Sequence, residues 1–154
     1  MSYAGFWKRF AAFLIDSLLI GAVMGILILI FGAGMFTSMS SMDPSELSEE
    51  GAGAMAAGII GGLMTFIVVA SAAQWLYFAL MESSAKQATL GKMALGIIVT
   101  DVSGNRLTFG RATGRYFGKI LSGLILYIGY IMAGFTEKKQ ALHDMIAGCL
   151  VVNK

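Results

Sequence analysis

Asp16 is the residue whose position most demands a chemical reason. It is the only charged residue between Phe10 and Phe36, and an aspartate in the middle of an apolar helix costs about 2.5–3.5 kcal/mol even on insertion scales. Two states make it bearable: a protonated acid whose pKa desolvation has raised, or an anion held against a cation or bound ion. Arg9 stands nearly two helical turns earlier, so the two residues share a face about 10 Å apart along the axis. Intramembrane acids mark ion or substrate paths by default; the competing role is a hydrogen bond across helices that holds the fold. His143 and Asp144, after Lys138-Lys139-Gln140, form a second pair, readable as a proton-labile couple or as a cap and interface anchor. Gln74, with Thr65 and Ser71, is the main polar side chain of the second apolar run and is expected to bond between helices. The candidate ion, proton or ligand-binding residues are thus Arg9, Asp16, His143, Asp144 and Gln74.

Other chemistry finds little footing. One histidine and one cysteine give no metal-ligand spacing, and no metal or cofactor is expected. Gly91-Lys92 fails as a phosphate-binding loop because Met93 replaces Ser/Thr and Lys86 stands where the first glycine belongs. Gly-rich Gly51–Gly62 has no preceding strand, so it is no dinucleotide fingerprint. The basic stretch Arg106–Lys119 lacks an interleaved aromatic platform, so anionic lipid head groups, met by Arg111, Arg115 and Lys119, are the expected contacts rather than nucleic acid. No Ser/His/Asp or paired-carboxylate arrangement suggests an enzyme. Lone Cys149 forms no intrachain disulfide and reads as a small packing residue.

The elements that must position these residues are membrane helices. Hydrophobic residues make up 57% of the 154 and charged residues only 13%, against about a quarter charged in soluble domains. The chain has room for one domain, 1–154. Two runs are long enough for the ~20 residues a crossing needs: a first helix at about 10–34 and a second at about 55–81. The first is too long for a signal-peptide core and contains an aspartate, so it reads as an uncleaved anchor. The segment between them, 37–50, carries Asp43, Glu46, Glu49 and Glu50 without a lysine or arginine, whereas Glu82–Lys119 carries six basic residues. The positive-inside rule then puts the N-terminus and the basic connection in the cytoplasm and the acidic loop outside. A bacterial or archaeal cytoplasmic membrane is the expected location.

Leu95–Asp101 and Arg106–Phe109 flank the turn cluster Val102-Ser103-Gly104-Asn105, predicting a cytoplasmic β-hairpin over 94–110. An isolated hairpin is marginal, so the β-prone Cys149–Val152 is expected to add a strand, within a C-terminal amphipathic segment and strand at 138–153. For those strands to meet, the third apolar segment, about 115–136, must return to the side it entered. Its uncharged part, Ile120–Thr136, is at the lower limit for a straight crossing and is interrupted by Gly123, Gly129 and Gly134. It is expected to be re-entrant, with a full crossing as the alternative. The fold class is therefore a membrane α-helical protein: two transmembrane helices, a third short re-entrant or spanning helical segment, and a small β-element.

The opening GFWKRFAAFLID, the central TLGKMALGIIVTDVSGNRLTFGRATGR and the closing KKQALHDMIAGCLVV resemble the RDD family of prokaryotic integral membrane proteins. The resemblance covers nearly the whole chain except the acidic loop. Arg9, Asp16 and Asp144 match the family's naming arginine and two aspartates, with Asp101 a weaker match for the last; Cys149 stands where the family's closing motif usually has threonine. The resemblance implies membrane architecture and points toward transport. Two functions are expected to compete. One is an oligomeric transporter or ion-translocating subunit using Asp16 with Arg9 or Asp144. The other is a scaffold or assembly factor docking a membrane-protein partner through the cytoplasmic β-element and Arg106–Lys119. Small residues at spacing four, Gly21/Gly25, Ala54/Gly58 and Gly58/Gly62, allow close helix approach within one chain or between copies.

Overall fold

The computed structural model describes residues 2–41, 48–125 and 128–154. Two long helices lead: α1, Phe6–Ser40, and α2, Glu49–Ser83. Both are apolar enough to cross a membrane, and at 35 residues each they run past the ~30 Å hydrocarbon core. In lipid every backbone polar group must be satisfied internally, which an apolar helix does by construction. Their hydroxyls are satisfied in the same way: Thr37 and Ser38 donate to the Gly34 carbonyl at 2.9 and 3.0 Å, and Thr65 to Gly61 at 2.8 Å. The helices extend beyond the predicted 10–34 and 55–81, so 37–40 and 49–50 of the expected acidic loop are helical. Asp43 and Glu46 of that loop lie outside the described residues.

The chain divides into two compact units. The smaller, Leu19–Ala73, holds the rest of α1 and most of α2. Its helices meet where Phe31 and Phe66 stack at 5.7 Å and the Phe31 ring lies against Gly62. Outward it is covered with large apolar side chains such as Leu29, 73% exposed, and Val68, 67% exposed. A water-soluble surface does not carry contiguous apolar area on this scale.

The larger unit, Met1–Leu18 with Gln74–Lys154, contains every candidate binding and head-group residue, from Arg9 to Asp144. After α2 come α3 (Leu90–Ala94), β1 (Ile97–Asp101), α4 (Phe109–Leu124), α5 (Ile128–Ile131), a 3₁₀ turn (Met132–Gly134), α6 (Leu142–Ile146) and β2 (Cys149–Asn153). β1 and β2 pair antiparallel, Ile97 opposite Asn153 and Asp101 opposite Cys149. The C-terminal strand thus joins the sheet as expected, but the hairpin's second arm is reduced to one bridge, Thr100 to Arg106. The turn itself forms: Asp101 accepts from the Ser103 and Asn105 backbone N–H groups, each at 2.8 Å. Thr108 then caps α4 by accepting from the Arg111 N–H at 3.4 Å, which leaves two residues for pairing. Gln87 fills the gap beside β1, its carbonyl accepting from the Val99 N–H at 2.7 Å. Ala4, Ala12, Ile97, Val99, Leu107, Cys149 and Val151 form the core of this unit.

The third apolar segment is not one straight helix. α4 and Ile128–Gly134 are bent by 117°, as a broken span or a re-entrant turn would be; positions 126–127 lie outside the described residues. The amphipathic stretch after Lys138-Lys139-Gln140, whose His143 and Asp144 were readable as an interface anchor, instead tucks α6 against α4. A Cβ at Gly118 would sit 3.1 Å from the His143 Cβ, so the glycine is what lets the two helices touch.

Candidate functional site

Two polar clusters lie within the larger unit. In the first, Asp16 on α1 is 2% exposed and is held by three neutral donors. Thr89 Oγ1 donates to Oδ2 at 2.5 Å; Tyr77 Oη and the Gly91 N–H donate to Oδ1 at 2.9 and 2.8 Å. Tyr77 Oη in turn accepts from the Leu90 N–H at 3.1 Å. Three donors converging on one carboxylate leave none of its described bonds to a cation. The approach depends on Gly91, where a Cβ would stand 2.1 Å from the Ala12 carbonyl oxygen. Arg9 is not among the residues bonding Asp16, although the two share a helix.

The second cluster is ionic. Glu82, at the end of α2 and 1% exposed, pairs with Lys92, with Arg115 Nη1 at 2.6 Å and with Lys119 Nζ at 3.7 Å. Asp144, fully buried on α6, pairs with Arg9 and with Arg115 Nε at 2.8 Å, and accepts from the Ala141 N–H at 3.1 Å. Arg115 therefore bridges the two carboxylates. Arg9 Nε is anchored to the Ala4 carbonyl at 2.9 Å, and Lys119 lies 4.1 Å over the Phe78 ring.

Charge and burial set the protonation states at the edge of this lattice. The guanidinium groups of Arg115 and Arg9 outweigh burial and hold the Asp144 carboxyl well below the usual carboxylate range. Burial pushes the His143 imidazole down to about 3, against the pull of Asp144, so the ring is neutral. Burial also raises the Cys149 thiol to about 12 and lowers the Lys92 ammonium, which Glu82 partly restores. Ser122 Oγ stands 3.2 Å from His143 Nδ1, and His143 Nε2 3.5 Å from Asp144 Oδ1. These are the residue types of a hydrolytic triad, a grouping the sequence did not suggest. But Ser122 is fully buried and its hydroxyl also donates to the Gly118 carbonyl at 2.9 Å. A substrate has no access, so the group serves to tie α6 to α4. Among the described residues no three His, Cys, Asp or Glu side chains cluster as metal ligands would.

The predicted residues distribute unevenly. Arg9, Asp144 and His143 meet in the ionic lattice; Asp16 anchors the neighbouring cluster; Gln74 is exposed on α2 and belongs to neither. Arg115, assigned to lipid head groups, is 2% exposed and enclosed between Glu82 and Asp144. Lys119 points partly into the same lattice. Of that trio Arg111 alone is well exposed, 3.9 Å from Asp101. His143 and Asp144 are likewise interior rather than interfacial. Glu82, Thr89 and Tyr77 were not expected at a site, and Lys92 was named only in a rejected phosphate-loop motif. The spacing of Arg111, Arg115 and Lys119, four apart on one helix face, was the available signal that a carboxylate had to face them.

Comparison with known proteins gives the family. The RDD family matches residues 3–148, a span that runs from the strand-bridging Tyr3 to the Gly148 before β2. The "Uncharacterized protein YxaI" of Bacillus subtilis (strain 168) is 38% identical over 98% of this chain and 97% of its own length. The "Uncharacterized membrane protein YteJ" of the same organism is 35% identical over 99% of this chain and 82% of its own. No solved structure matches the chain. With the arginine and both aspartates placed in two adjoining buried clusters, and the match running nearly end to end, the chain belongs to the RDD family of membrane proteins.

Proposed function

We propose that this membrane protein moves protons or a small monovalent cation across a prokaryotic cytoplasmic membrane, with its N-terminus in the cytoplasm. The observation that carries the reading is the burial of three carboxylates, Asp16, Glu82 and Asp144, each at most 2% exposed, beside the ends of two apolar helices. Intramembrane acids of this kind are costly and are kept where charge must pass. Asp16 is the exchange group: its donors are neutral, so a cation or proton can compete for it without displacing a salt bridge. Glu82 and Asp144 hold the fixed lattice beside it. Two spans give too little wall to seal a path, so the proposal includes assembly of several copies. Gly21, Gly25 and Gly58, with open space beside their Cα atoms, are the contact points.

Flux in proteoliposomes is the test. The native protein is expected to carry a pH-gradient-driven cation or proton flux, and Asp16→Asn to reduce it at least about tenfold, as loss of a proton-transfer group does. Equal flux from both would refute the role of Asp16.

A second reading, a scaffold that docks a membrane-protein partner, is favoured by one feature: every buried carboxylate among the described residues already has its donors. Both sides of the sheet are occupied near their ends, by Tyr3 and by Arg106, so such docking would use side chains rather than strand addition. Absent flux together with a partner recovered from native membranes would support it.

A further inference from the structure

At the start of α1, an open groove of about 440 Å³ runs between the helix's first turn and the Ile131–Lys139 turn. Its walls are apolar: Phe6, Trp7, Ile131 and Phe135, with Lys139 at the lip. Trp7 and Phe135 are 76% and 86% exposed. Trp7 is braced edge-on by Phe6 at 5.4 Å and by Phe10 at 6.2 Å. Lys139 is held in a left-handed conformation, φ 50°, which a side-chain-bearing residue adopts only when its surroundings impose it. Its N–H donates to the Thr136 carbonyl at 3.0 Å and its Nζ to the Gly134 carbonyl at 3.1 Å. One ammonium hydrogen is used there; two remain.

We propose that this groove binds an anionic phospholipid of the surrounding bilayer, acyl chain along the aromatic wall and phosphate on Lys139. Depth argues for a lipid. Trp7 lies one turn before Phe10, where the apolar run of α1 begins, so the groove sits at the boundary between polar and apolar surroundings that tryptophan prefers. Charge argues for an anionic head group. Lys138 precedes Lys139 in the same turn, and Glu137 is the one acid between Ile131 and Lys139. The site differs from the head-group contacts expected at Arg111, Arg115 and Lys119, and it stands whether or not the protein transports.

The chain has two tryptophans, so Trp75→Phe leaves Trp7 as the sole emitter. In bilayers doped with brominated lipid, brominated phosphatidylglycerol is expected to quench Trp7 about fivefold more effectively than brominated phosphatidylcholine, the enrichment one basic residue confers near the surface. Lys139→Gln should bring the two near parity, while Lys86→Gln, exposed and away from the groove, should not. The native protein, with both tryptophans, gives the same preference in diluted form and serves if Trp75→Phe folds poorly. Equal quenching by the two head groups, a preference unchanged by Lys139→Gln, or a Trp7 that neither lipid reaches because protein covers it, would each overturn the proposal.

Discussion

Arg115 reaches two buried carboxylates from different elements, Glu82 on α2 and Asp144 on α6, so its removal takes one cation from each. A methionine keeps much of the apolar stem but none of the charge, and breaking a buried pair from one side costs about 3–5 kcal/mol. Unfolding of Arg115→Met in detergent should show a loss of that order, and a loss within about 0.5 kcal/mol, typical of surface positions, would mean that Lys92, Lys119 and Arg9 carry the lattice without it. His143 gives a pH dependence of definite sign. Its folded value, about 3, lies below the ordinary 6.5, so between those limits the unfolded chain binds more protons. Its contribution is complete above pH 6.5 and is lost as pH falls toward 3, at up to about 1.4 kcal/mol per pH unit. Asp144, also held low, adds its loss only below the ordinary carboxylate range. Thermal unfolding from pH 7.5 to 4 should therefore fall along a slope that His143→Gln flattens, and an unchanged slope would show that the imidazole is not buried neutral.

At the scale of elements, α4 connects sequence to site. Its three cations recur every four residues, and that periodicity was legible, but their partner was not. Glu82 closes a charge-free run of thirty-one residues, Gly51–Met81, and so reads as the start of a loop; only packing shows that it faces α4. Lipid head groups were the natural assignment for Arg115 because periodicity gives a face without saying what covers it. The two long helices and the β2 strand were readable, since composition and β-propensity are local. The reduction of the hairpin to a single bridge was not, because it depends on Thr108 beginning a helix two residues after Arg106, where the cap competes with strand pairing. Nor was the burial of α6, which depends on a missing side chain at Gly118. Gly118→Val places atoms where His143 now packs and should push α6 off α4, weakening Arg115–Asp144. In a double-mutant cycle with Arg115→Met the two losses should fall short of additive by about 0.5–3 kcal/mol. Strict additivity would separate the helix contact from the ion pair.

For the whole molecule the sheet constrains the course of the chain. β1 follows α2 after the short α3, and β2 is paired with it along its full length, so the two strands must share one side of any membrane the chain crosses. A bent segment that entered the bilayer between them would have to return, because a single crossing would put β2 on the far face and break the ladder. Cysteine labelling of intact cells decides this, and the native thiol does not interfere. Cys149 is fully buried with its thiol raised to about 12, so it supplies almost no thiolate to a membrane-impermeant maleimide. Ser41→Cys, at the end of α1, should label from outside, while Lys154→Cys, one residue beyond β2, should label only after permeabilisation. That labelling pattern is the one the positive-inside reading of the basic connection predicts. External labelling of Lys154→Cys together with Ser41→Cys would mean that the segment crosses, and would part the two strands that hold the larger unit together.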